Sequence, residues 1–303
     1  MKTFVISGAT GMIGSAIVRE LLDRGDRVLA LVRPDSARST CLPEHPNLIC
    51  IPCGMADYAS YEPRERADVF LHLAWGKTTG GGREDVDAQL SNVAASLEAV
   101  RLAHRFGCEA FVGAGSQAEY GPVTEPLCET TPADPQSGYG IAKYAAGKLT
   151  RTLCAQLGIR HCWARILSIF GENDASGTLI SYLIRTLSEG GVPELTPCEQ
   201  IWDYLYVADA ARALIAIGER GHDGRVYPVG SGEGRPLADF VRELRDCVAP
   251  DGEVRFGAKP YYPHQPMLLV ADITQLQADT GFAPRVSFRA GIERILLQQN
   301  KEK

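Results

Sequence analysis

Two side chains with proton-transfer chemistry are spaced to share one face of a predicted helix. Tyr139 and Lys143 form a Y-x-x-x-K, and residues at positions i and i+4 of a helix are neighbours. At about 4 Å and an effective dielectric near 20, an ammonium would stabilise a phenolate by roughly 4 kcal/mol, about three pKa units. The spacing therefore predicts that Lys143 lowers the Tyr139 pKa from about 10 towards 7, where a phenol suits general acid–base catalysis.

A serine hydroxyl is expected beside this pair. Ser116 follows a predicted strand at 110–114, and the carboxyl ends of parallel strands carry the ligand site of an open α/β sheet. The Ser116 hydroxyl would hydrogen-bond a substrate oxygen while Tyr139 moves the proton. Ser116, Tyr139 and Lys143 are therefore the candidate catalytic residues.

A glycine-rich turn lies between the first predicted strand and the first predicted helix. It has the spacing G-x-x-G-x-x-G from Gly8 to Gly14. Gly8 permits the tight turn, Gly11 lets a pyrophosphate approach the backbone, and Gly14 lets helix and strand pack closely. The helix N-terminus offers free N–H groups and a favourable dipole to an anion. The pattern predicts dinucleotide binding, with a plain glycine-rich turn as the alternative.

The residues after the second predicted strand bear on which dinucleotide binds. NAD-binding proteins place an acidic residue there to hold the ribose hydroxyls. This chain has Arg33-Pro34-Asp35, and a guanidinium suits a 2′-phosphate. We therefore expect NADP, with NAD as the alternative in which Arg33 is a solvated surface residue and Asp35 serves the ribose.

These residues need a scaffold, and the hydrophobic pattern supplies one. Short apolar runs alternate with longer segments of helical periodicity, which is typical of a parallel sheet covered by helices on both faces. We expect an α/β fold, a Rossmann-type doubly wound parallel sheet with a smaller C-terminal α/β lobe. The predicted strands are 3–7, 27–32, 48–52, 69–73, 110–114 and 160–166, and the predicted helices are 12–24, 85–106 and 140–157.

The second part of the chain has a looser pattern, rich in Gly and Pro. We expect a dinucleotide-binding domain at 1–170 with returning segments at about 201–230, and a substrate-binding lobe at 171–200 and 231–303. Within the returning region, 204–218 and 226–229 are expected to rejoin the sheet. The cleft between the two parts is the default ligand site.

Composition narrows the function classes. The chain has 303 residues, 45% of them hydrophobic and 22% charged, which excludes wholesale disorder. A net charge of −6 argues against nucleic acid as a partner. There is no run of about 18 apolar residues, so no membrane span is expected. Nine cysteines with a single C-x-x-C, Cys50 and Cys53, indicate reduced thiols and no metal site. The first apolar stretch contains glycines and no cleavage pattern of a signal peptide, so we expect a cytoplasmic, unprocessed protein.

Taken together, these motifs resemble the extended short-chain dehydrogenases/reductases of the NAD-dependent epimerase/dehydratase group, over nearly the whole chain. The matching pieces are Gly8 to Gly14, His72-Leu73-Ala74, Asn92, Ser116 with Tyr120-Gly121, Tyr139 with Lys143, Arg165 to Gly171, and Tyr204 to Asp209. The resemblance implies hydride exchange at a carbon, often C4, of a nucleotide-activated sugar. It also implies that Lys143 holds the nicotinamide ribose, and that two long helices of each subunit, here 85–106 and 140–157, form a homodimer.

The expected site residues follow from the motifs and the resemblance. Those expected at the cofactor are Gly8, Thr10, Gly11, Met12, Ile13, Gly14, Arg33, Asp57, Leu73, Ala74, Tyr139, Lys143 and Ile166. Those expected at the substrate are Ser116, Gln117, Ser168, Trp202 and His264. His72 and Cys108 are expected to be structural.

Several positions depart from the family pattern. Gln117 and Ala118 replace the acidic pair of the 4,6-dehydratases, and Glu119, one position later, is expected to be mainly structural. Ser168 replaces the substrate-binding Asn of typical 4-epimerases. Trp202 replaces an Arg that clamps the diphosphate.

Gly54 replaces an Asp that contacts adenine, with Asp57 three residues later. Together with Arg33, the departures favour a 4-keto sugar reductase that uses NADPH and has Tyr139 as the proton donor. A 4-epimerase with tightly bound NAD is the alternative. A non-catalytic dinucleotide-sensing protein is a third and minor one.

Overall fold

A seven-stranded parallel sheet forms the centre of the computed structural model, which describes residues 1–36, 41–175, 177–262 and 265–301. The strands are β1 (Thr3–Ser7), β2 (Arg27–Val32), β3 (Leu48–Pro52), β4 (Val69–His72), β5 (Ala110–Ser116), β6 (Arg160–Ile166), β7 (Ser168–Phe170), β8 (Ile201–Trp202), β9 (Tyr204–Tyr206), β10 (Arg225–Val229), β11 (Arg235–Pro236) and β12 (Leu268–Leu269). The helices are α1 (Met12–Asp23), α2 (Val86–Arg105), α3 (Gly138–Leu157), α4 (Leu179–Ser188), α5 (Val207–Arg220), α6 (Leu237–Val248), α7 (Thr274–Thr280) and α8 (Phe288–Lys301).

The strand order of the central sheet is β10-β6-β5-β4-β1-β2-β3, and every neighbouring pair is parallel. Helices α1 and α5 pack together on one face, and α2 and α3 pack together on the other. Because both faces are covered, β1 is an unbroken apolar run whose Phe4, Val5 and Ile6 are fully buried. The predicted Rossmann-type fold is confirmed.

The order of connection reverses between β1 and β4, which are neighbours in the sheet. In doubly wound sheets such a reversal opens a crevice beyond the carboxyl ends of the strands. The glycine turn follows β1 and Leu73-Ala74 follows β4, so both motifs lie at this crevice.

Helices α4, α6 and α8 pack around a separate apolar cluster together with β7 and β9. Outside the central sheet there are a three-stranded sheet, β11-β8-β12, and a two-stranded sheet, β7-β9. The ring centroids of Phe170 and Phe240 lie 4.9 Å and 4.8 Å from that of Phe288. This aromatic cluster joins the strand after β6 to two helices of the lobe.

Three expectations about elements need correction. The segments 204–218 and 226–229 return to the central sheet only in part. Helix α5 packs on that sheet and β10 pairs with its edge strand, whereas β9 pairs with β7. Strand β5 runs two residues beyond its predicted end, because Gly115 and Ser116 pair with β6. Strand β4 ends at His72, one residue earlier than predicted.

Two general features bear on the class of protein. No helix in the described ranges is long and apolar enough to cross a membrane. All nine cysteines are described and free, with Cys50 exposed and Cys53 buried.

Candidate active site

The glycine turn has the geometry of a phosphate-binding turn. Gly8 has a φ of +72°, and a Cβ on Gly14 would lie 2.2 Å from the Gly8 carbonyl oxygen. The turn is closed by the Gly11 N–H, which donates to the Gly8 carbonyl at 3.0 Å. No side chain caps the N-terminus of α1, so its first-turn N–H groups remain for an anion. Met12 and Ile13 turn their side chains to the apolar clusters, which leaves their backbone for that role.

A cavity of about 590 Å³ opens from this turn. Its lining includes Gly8, Thr10, Gly11, Arg33, Ser36, Gly54, Leu73, Ala74 and Trp75. Arg33 forms no ion pair with any described residue, so its guanidinium is available to an added anion. The glycine turn, the uncapped helix and this cation together fit a dinucleotide of the NAD(P) type.

Asp57 and Asp35 are the two carboxylates that were expected near the adenosine part of the coenzyme. Asp57 accepts a hydrogen bond from the Gly54 N–H at 2.7 Å and closes a short 3₁₀ helix, Met55–Asp57. Neither Asp57 nor Asp35 is among the residues that line the cavity. Both carboxylates are exposed, and that of Asp57 serves the turn.

The loop after β4 is held in place by α2. The Asn92 amide is paired with both backbone groups of Gly76, at 2.8 and 3.0 Å, and Gln89 accepts from the Trp75 indole N–H at 2.9 Å. The spacing of Asn92 in a long helix matched the family, whereas Gln89 was missed by sequence reasoning. These contacts fix the loop that lines the cavity beside Leu73 and Ala74.

His72 is structural, as expected. It is buried between two serines, with Ser7 Oγ 2.7 Å from Nδ1 and Ser96 Oγ 3.1 Å from Nε2. Burial lowers the pKa of His72 to about 3, so the imidazole is neutral. The buried Cys108, expected to be structural, lies among apolar side chains, where burial raises the pKa of its thiol.

Ser116, Tyr139 and Lys143 come together at the carboxyl end of β5. Ser116 is the last residue of that strand, and the interaction of its hydroxyl with the Tyr139 phenol lowers the pKa of Tyr139. Tyr139 lies in the first turn of α3, which Ser137 caps by accepting from the Gly140 N–H. Lys143, one turn further along α3, is buried and donates from Nζ to the Ala114 carbonyl at 2.7 Å.

Trp75 joins this triad to the cavity. Its indole lines the cavity, lies edge-on to the Tyr139 ring at 6.2 Å between centroids, and covers Lys143, whose Nζ is 3.7 Å from the indole centroid. Such a cation–π contact stabilises an ammonium that burial destabilises. Burial lowers the pKa of Lys143 to about 7, while the Glu119 carboxylate acts in the opposite direction. Sequence reasoning missed Trp75, although it directly follows the recognised His72-Leu73-Ala74.

The predicted lowering of the Tyr139 pKa by Lys143 is wrong. Burial raises the pKa of Tyr139, and the groups that oppose this are Ser116, by its hydrogen bond, and Arg83, by its charge. The physical reason is the direction of the lysine side chain. Nζ reaches past the phenol to Ala114 and Trp75 and lies 5.8 Å from the Tyr139 ring centroid.

Glu119, three residues after Ser116, holds the end of β5 in place. Its fully buried carboxylate accepts from the Ser116 N–H at 2.8 Å, the Trp163 indole N–H at 2.9 Å and Arg165 Nε at 2.8 Å. The Trp163 indole lies flat on glycines of β5, since a Cβ on Gly113 would approach it to 2.1 Å. The expectation that Glu119 has a structural role agrees with these three contacts.

The residues expected at the substrate lie on several different elements. Gln117 begins the 3₁₀ helix Gln117–Glu119 beside Ser116 and is half-buried. Ser168 begins β7. Ile166, which was expected at the cofactor, is half-buried and ends β6. Trp202, in β8, packs against both the main core and the lobe cluster. His264 lies outside the described residues.

The whole arrangement matches a known family. The family model of the NAD-dependent epimerase/dehydratase family matches residues 4–230. The chain belongs to this family. Its members include NAD(P)-dependent enzymes of the short-chain dehydrogenase/reductase type, and the chain is an enzyme of that type.

Two individual relatives match nearly the whole length of the chain. A UDP-glucose 4-epimerase of Azospirillum brasilense is 26% identical over 97% of this chain and 90% of its own length. A dTDP-4-dehydro-6-deoxyglucose reductase of Escherichia coli is 22% identical over 96% of both chains.

Two solved structures share the fold. A UDP-glucose 4-epimerase of Thermotoga maritima, solved with UDP-glucose, has a TM-score of 0.87 at 22% identity and covers 99% of each chain. RMD of Pseudomonas aeruginosa, complexed with NADPH, has a TM-score of 0.81 at 18% identity and covers all of both chains. These two likenesses show the fold.

Within the described ranges, no group of three or more His, Cys, Asp or Glu side chains is arranged to hold a metal ion.

Proposed function

We propose that the protein is an NADPH-dependent reductase of a 4-keto sugar linked to a nucleotide, with Tyr139 as the proton donor. The observation that carries the choice of a reductase is Arg33. Its guanidinium lines the coenzyme cavity without a partner among the described residues, where a 2′-phosphate would neutralise it. NADPH is the coenzyme that a reductase takes up and releases at each turnover.

The three central residues have separable tasks in this reaction. When bound, the coenzyme supplies the hydride. Ser116, at the strand end, holds the carbonyl oxygen by its hydroxyl, and Tyr139 donates the proton to that oxygen. Lys143, held by the Ala114 carbonyl and the Trp75 indole, lies between the phenol and the cavity, where it would hold the ribose of the nicotinamide.

Dehydration lacks its acid and base in this site. Gln117 and Ala118 cannot remove the elements of water, and the Glu119 carboxylate is occupied by Ser116, Trp163 and Arg165. A fully buried carboxylate whose oxygens already accept from three protein donors is not free to act on a substrate. This supports a reaction confined to hydride and proton exchange.

A nucleotide sugar is the substrate class that the relatives support. The epimerase and the reductase reported above both carry such substrates in their names. In this chain the expected charged clamp on the diphosphate is replaced by Trp202, which offers an aromatic face for a base or sugar. We propose that Trp202 and Ser168 border the sugar and nucleotide, with Gln117 near the reacting carbon.

A 4-epimerase with tightly held NAD is the second candidate. It would use the same Ser116, Tyr139 and Lys143, because oxidation and re-reduction at one carbon need no further acid. The 26% identity to a UDP-glucose 4-epimerase over most of both chains supports it. In that case Arg33 is a surface residue.

We also propose a homodimer through α2 and α3. These helices pack together on one face of the sheet and carry exposed apolar side chains. The exposed residues are Val86 and Leu90 on α2, and Ile141 and Leu149 on α3. A second copy of the same face would cover them.

The test is NADPH consumption with a set of nucleotide-linked 4-ketohexoses. We expect oxidation of NADPH with at least one of them, and a loss of about 10²- to 10⁴-fold in kcat for Tyr139→Phe. Ser116→Ala should lose a smaller factor, because its hydroxyl positions the oxygen and the phenol remains. An enzyme that oxidises no NADPH with any of these compounds, while it interconverts a 4-epimer pair, would replace the reductase with the epimerase. If Tyr139→Phe retained the full function of the protein, the non-catalytic reading would stand.

A further inference from the structure

Arg83 lies directly over the ring of Tyr139. It belongs to the short 3₁₀ helix Gly80–Glu84, between the loop after β4 and the start of α2. Its guanidinium carbon is 4.3 Å from the centroid of the Tyr139 ring, whereas Lys143 Nζ is 5.8 Å from that centroid. The cation nearest the phenol ring is therefore not the lysine of the Y-x-x-x-K.

Two hydrogen bonds fix the short helix, one to the start of α3 and one to α2. The Glu84 carboxylate accepts from the Gly138 N–H at 3.0 Å, one residue before Tyr139. Gln89 donates to the Gly82 carbonyl at 2.9 Å and so ties the same helix to α2. Arg83 is thus held between two elements that also position Tyr139.

The charge of Arg83 is not neutralised by its neighbours. In the described part of the chain, no carboxylate lies within ion-pair distance of its guanidinium, and the adjacent Glu84 carboxylate is turned to Gly138. Arg83 is half-buried, so its charge is only partly screened by solvent.

The other ionisable groups around Tyr139 are engaged elsewhere. Lys143, on the same helix, is bound to the Ala114 carbonyl and covered by Trp75. Glu119, below the end of β5, is paired with Arg165. From β5 itself, Ser116 contributes a neutral hydroxyl.

We propose that Arg83 is a positioning residue for the proton step, in which its guanidinium stacks on the Tyr139 ring and stabilises the phenolate. A cation on the face of an aromatic ring is favoured more strongly as that ring gains negative charge. The Arg83 charge lowers the pKa of Tyr139, against the effect of burial. The Y-x-x-x-K spacing predicts that Lys143 stabilises the phenolate. In this proposal Arg83, on the short 3₁₀ helix, does so instead.

The test measures the ionisation of Tyr139 directly. Tyr139 is replaced by 3,5-difluorotyrosine, whose phenol ionises near neutral pH and whose fluorine signals report that ionisation. The signal is titrated by ¹⁹F NMR with Arg83 intact, with Arg83→Gln and with Arg83→Lys. We expect the midpoint to rise by about 1 pH unit in Arg83→Gln and by less in Arg83→Lys, which keeps the charge.

A matched control separates this effect from a general change of charge. Arg101→Gln removes an exposed guanidinium of α2 that is paired with Glu98, and it should leave the midpoint unchanged. Circular dichroism and thermal unfolding confirm that each variant is folded before it is titrated. A variant that does not fold is replaced by Arg83→Met, which is judged by the same midpoint.

Two outcomes would overturn the proposal. One is a midpoint in Arg83→Gln equal to that of the intact protein. The other is an equal rise in Arg83→Gln and Arg83→Lys, which would assign the effect to packing and not to charge.

The role of the phenolate in catalysis rests on the proposed function, whereas its ionisation does not. A protein that shows the expected shifts but oxidises no NADPH would therefore contradict the proposed reaction and leave the Arg83–Tyr139 coupling standing.

Discussion

The ammonium of Lys143 lies 3.7 Å from the centroid of the Trp75 indole. It is almost wholly buried, and its hydrogen bond to the Ala114 carbonyl provides one neutral acceptor. The indole therefore supplies the favourable environment that water would give to an exposed lysine. This relationship places the lysine between the coenzyme cavity and the phenol, and it makes the charge of Lys143 sensitive to pH.

The first prediction concerns stability as a function of pH. Burial lowers the pKa of Lys143 to about 7, whereas a lysine in an unfolded chain has a pKa of about 10.4. Between these values the unfolded state binds more protons, so the free energy of unfolding should rise with pH above about 7, by at most about 1.4 kcal/mol per unit. Lys143→Met should lack this rise in urea denaturation between about pH 6 and 8.5.

The matched control is Lys148→Met, an exposed lysine on the same helix. The buried thiols and phenols are common to all three proteins, so the comparison isolates one ammonium. Parallel stability curves for the wild type and Lys143→Met would show that the lysine keeps its ordinary pKa.

The second prediction concerns the buried ion pair beneath Ser116. Glu119→Gln keeps the size of the side chain but leaves the Arg165 guanidinium buried without a counter-charge, so we expect a loss of about 3 to 5 kcal/mol in the free energy of unfolding. The double variant Glu119→Gln with Arg165→Met should recover part of this loss. Chemical denaturation measures both.

An exposed ion pair gives the comparison for this effect. Glu98→Gln breaks the contact with Arg101 on the surface of α2 and should cost no more than about 1 kcal/mol. If Glu119→Gln were as mild as Glu98→Gln, the buried pair would not be the support of the site that the contacts indicate.

The third prediction concerns coenzyme selection by Arg33. Arg33→Gln should weaken the binding of NADPH by about 10- to 100-fold, because a charge-assisted contact to the 2′-phosphate is lost. Binding of NADH should change little. Titration of coenzyme fluorescence measures both dissociation constants.

Asp35→Asn is the control variant for coenzyme selection. In the alternative, NAD binds and its ribose hydroxyls are held by the Asp35 carboxylate. Weaker NADH binding in Asp35→Asn, with no effect of Arg33→Gln on either coenzyme, would favour NAD.

The fourth prediction concerns the oligomeric state. Leu90→Asp or Ile141→Asp places a charge in the exposed apolar face of α2 and α3 and should convert a dimer to a monomer in light scattering. Leu297→Asp changes an equally exposed leucine on α8 and should leave the dimer intact. A wild-type protein with the mass of a monomer would remove this interface.

Much of the scaffold could be predicted because its signals are local. β-branched runs and helical periodicity located the strands and helices of the sheet, and the glycine turn after β1 identified the coenzyme end. The pairing of β9 with β7 could not be predicted, because three residues of aromatic and aliphatic type do not specify which sheet they join.

The sequence could predict which residues form the catalytic triad, but not which charged groups act on Tyr139. Spacing in α3 correctly brings Tyr139 and Lys143 to one face, but spacing does not say where a long flexible side chain ends. Lys143 ends at Ala114 and Trp75, and Arg83 reaches the phenol from a short helix that has no periodicity to predict it. Such contacts depend on the packing of three separate elements.

The most direct test of the central claim is the identity of the dinucleotide carried by the purified protein. The protein is denatured, and the released dinucleotide is quantified by mass spectrometry; an epimerase must retain NAD between its two half-reactions, whereas a reductase exchanges its coenzyme. We predict that little NAD is released, and that the protein binds added NADPH more tightly than NADH. Release of near-stoichiometric NAD would contradict the account, since it would assign the site to a 4-epimerase and Arg33 to the surface.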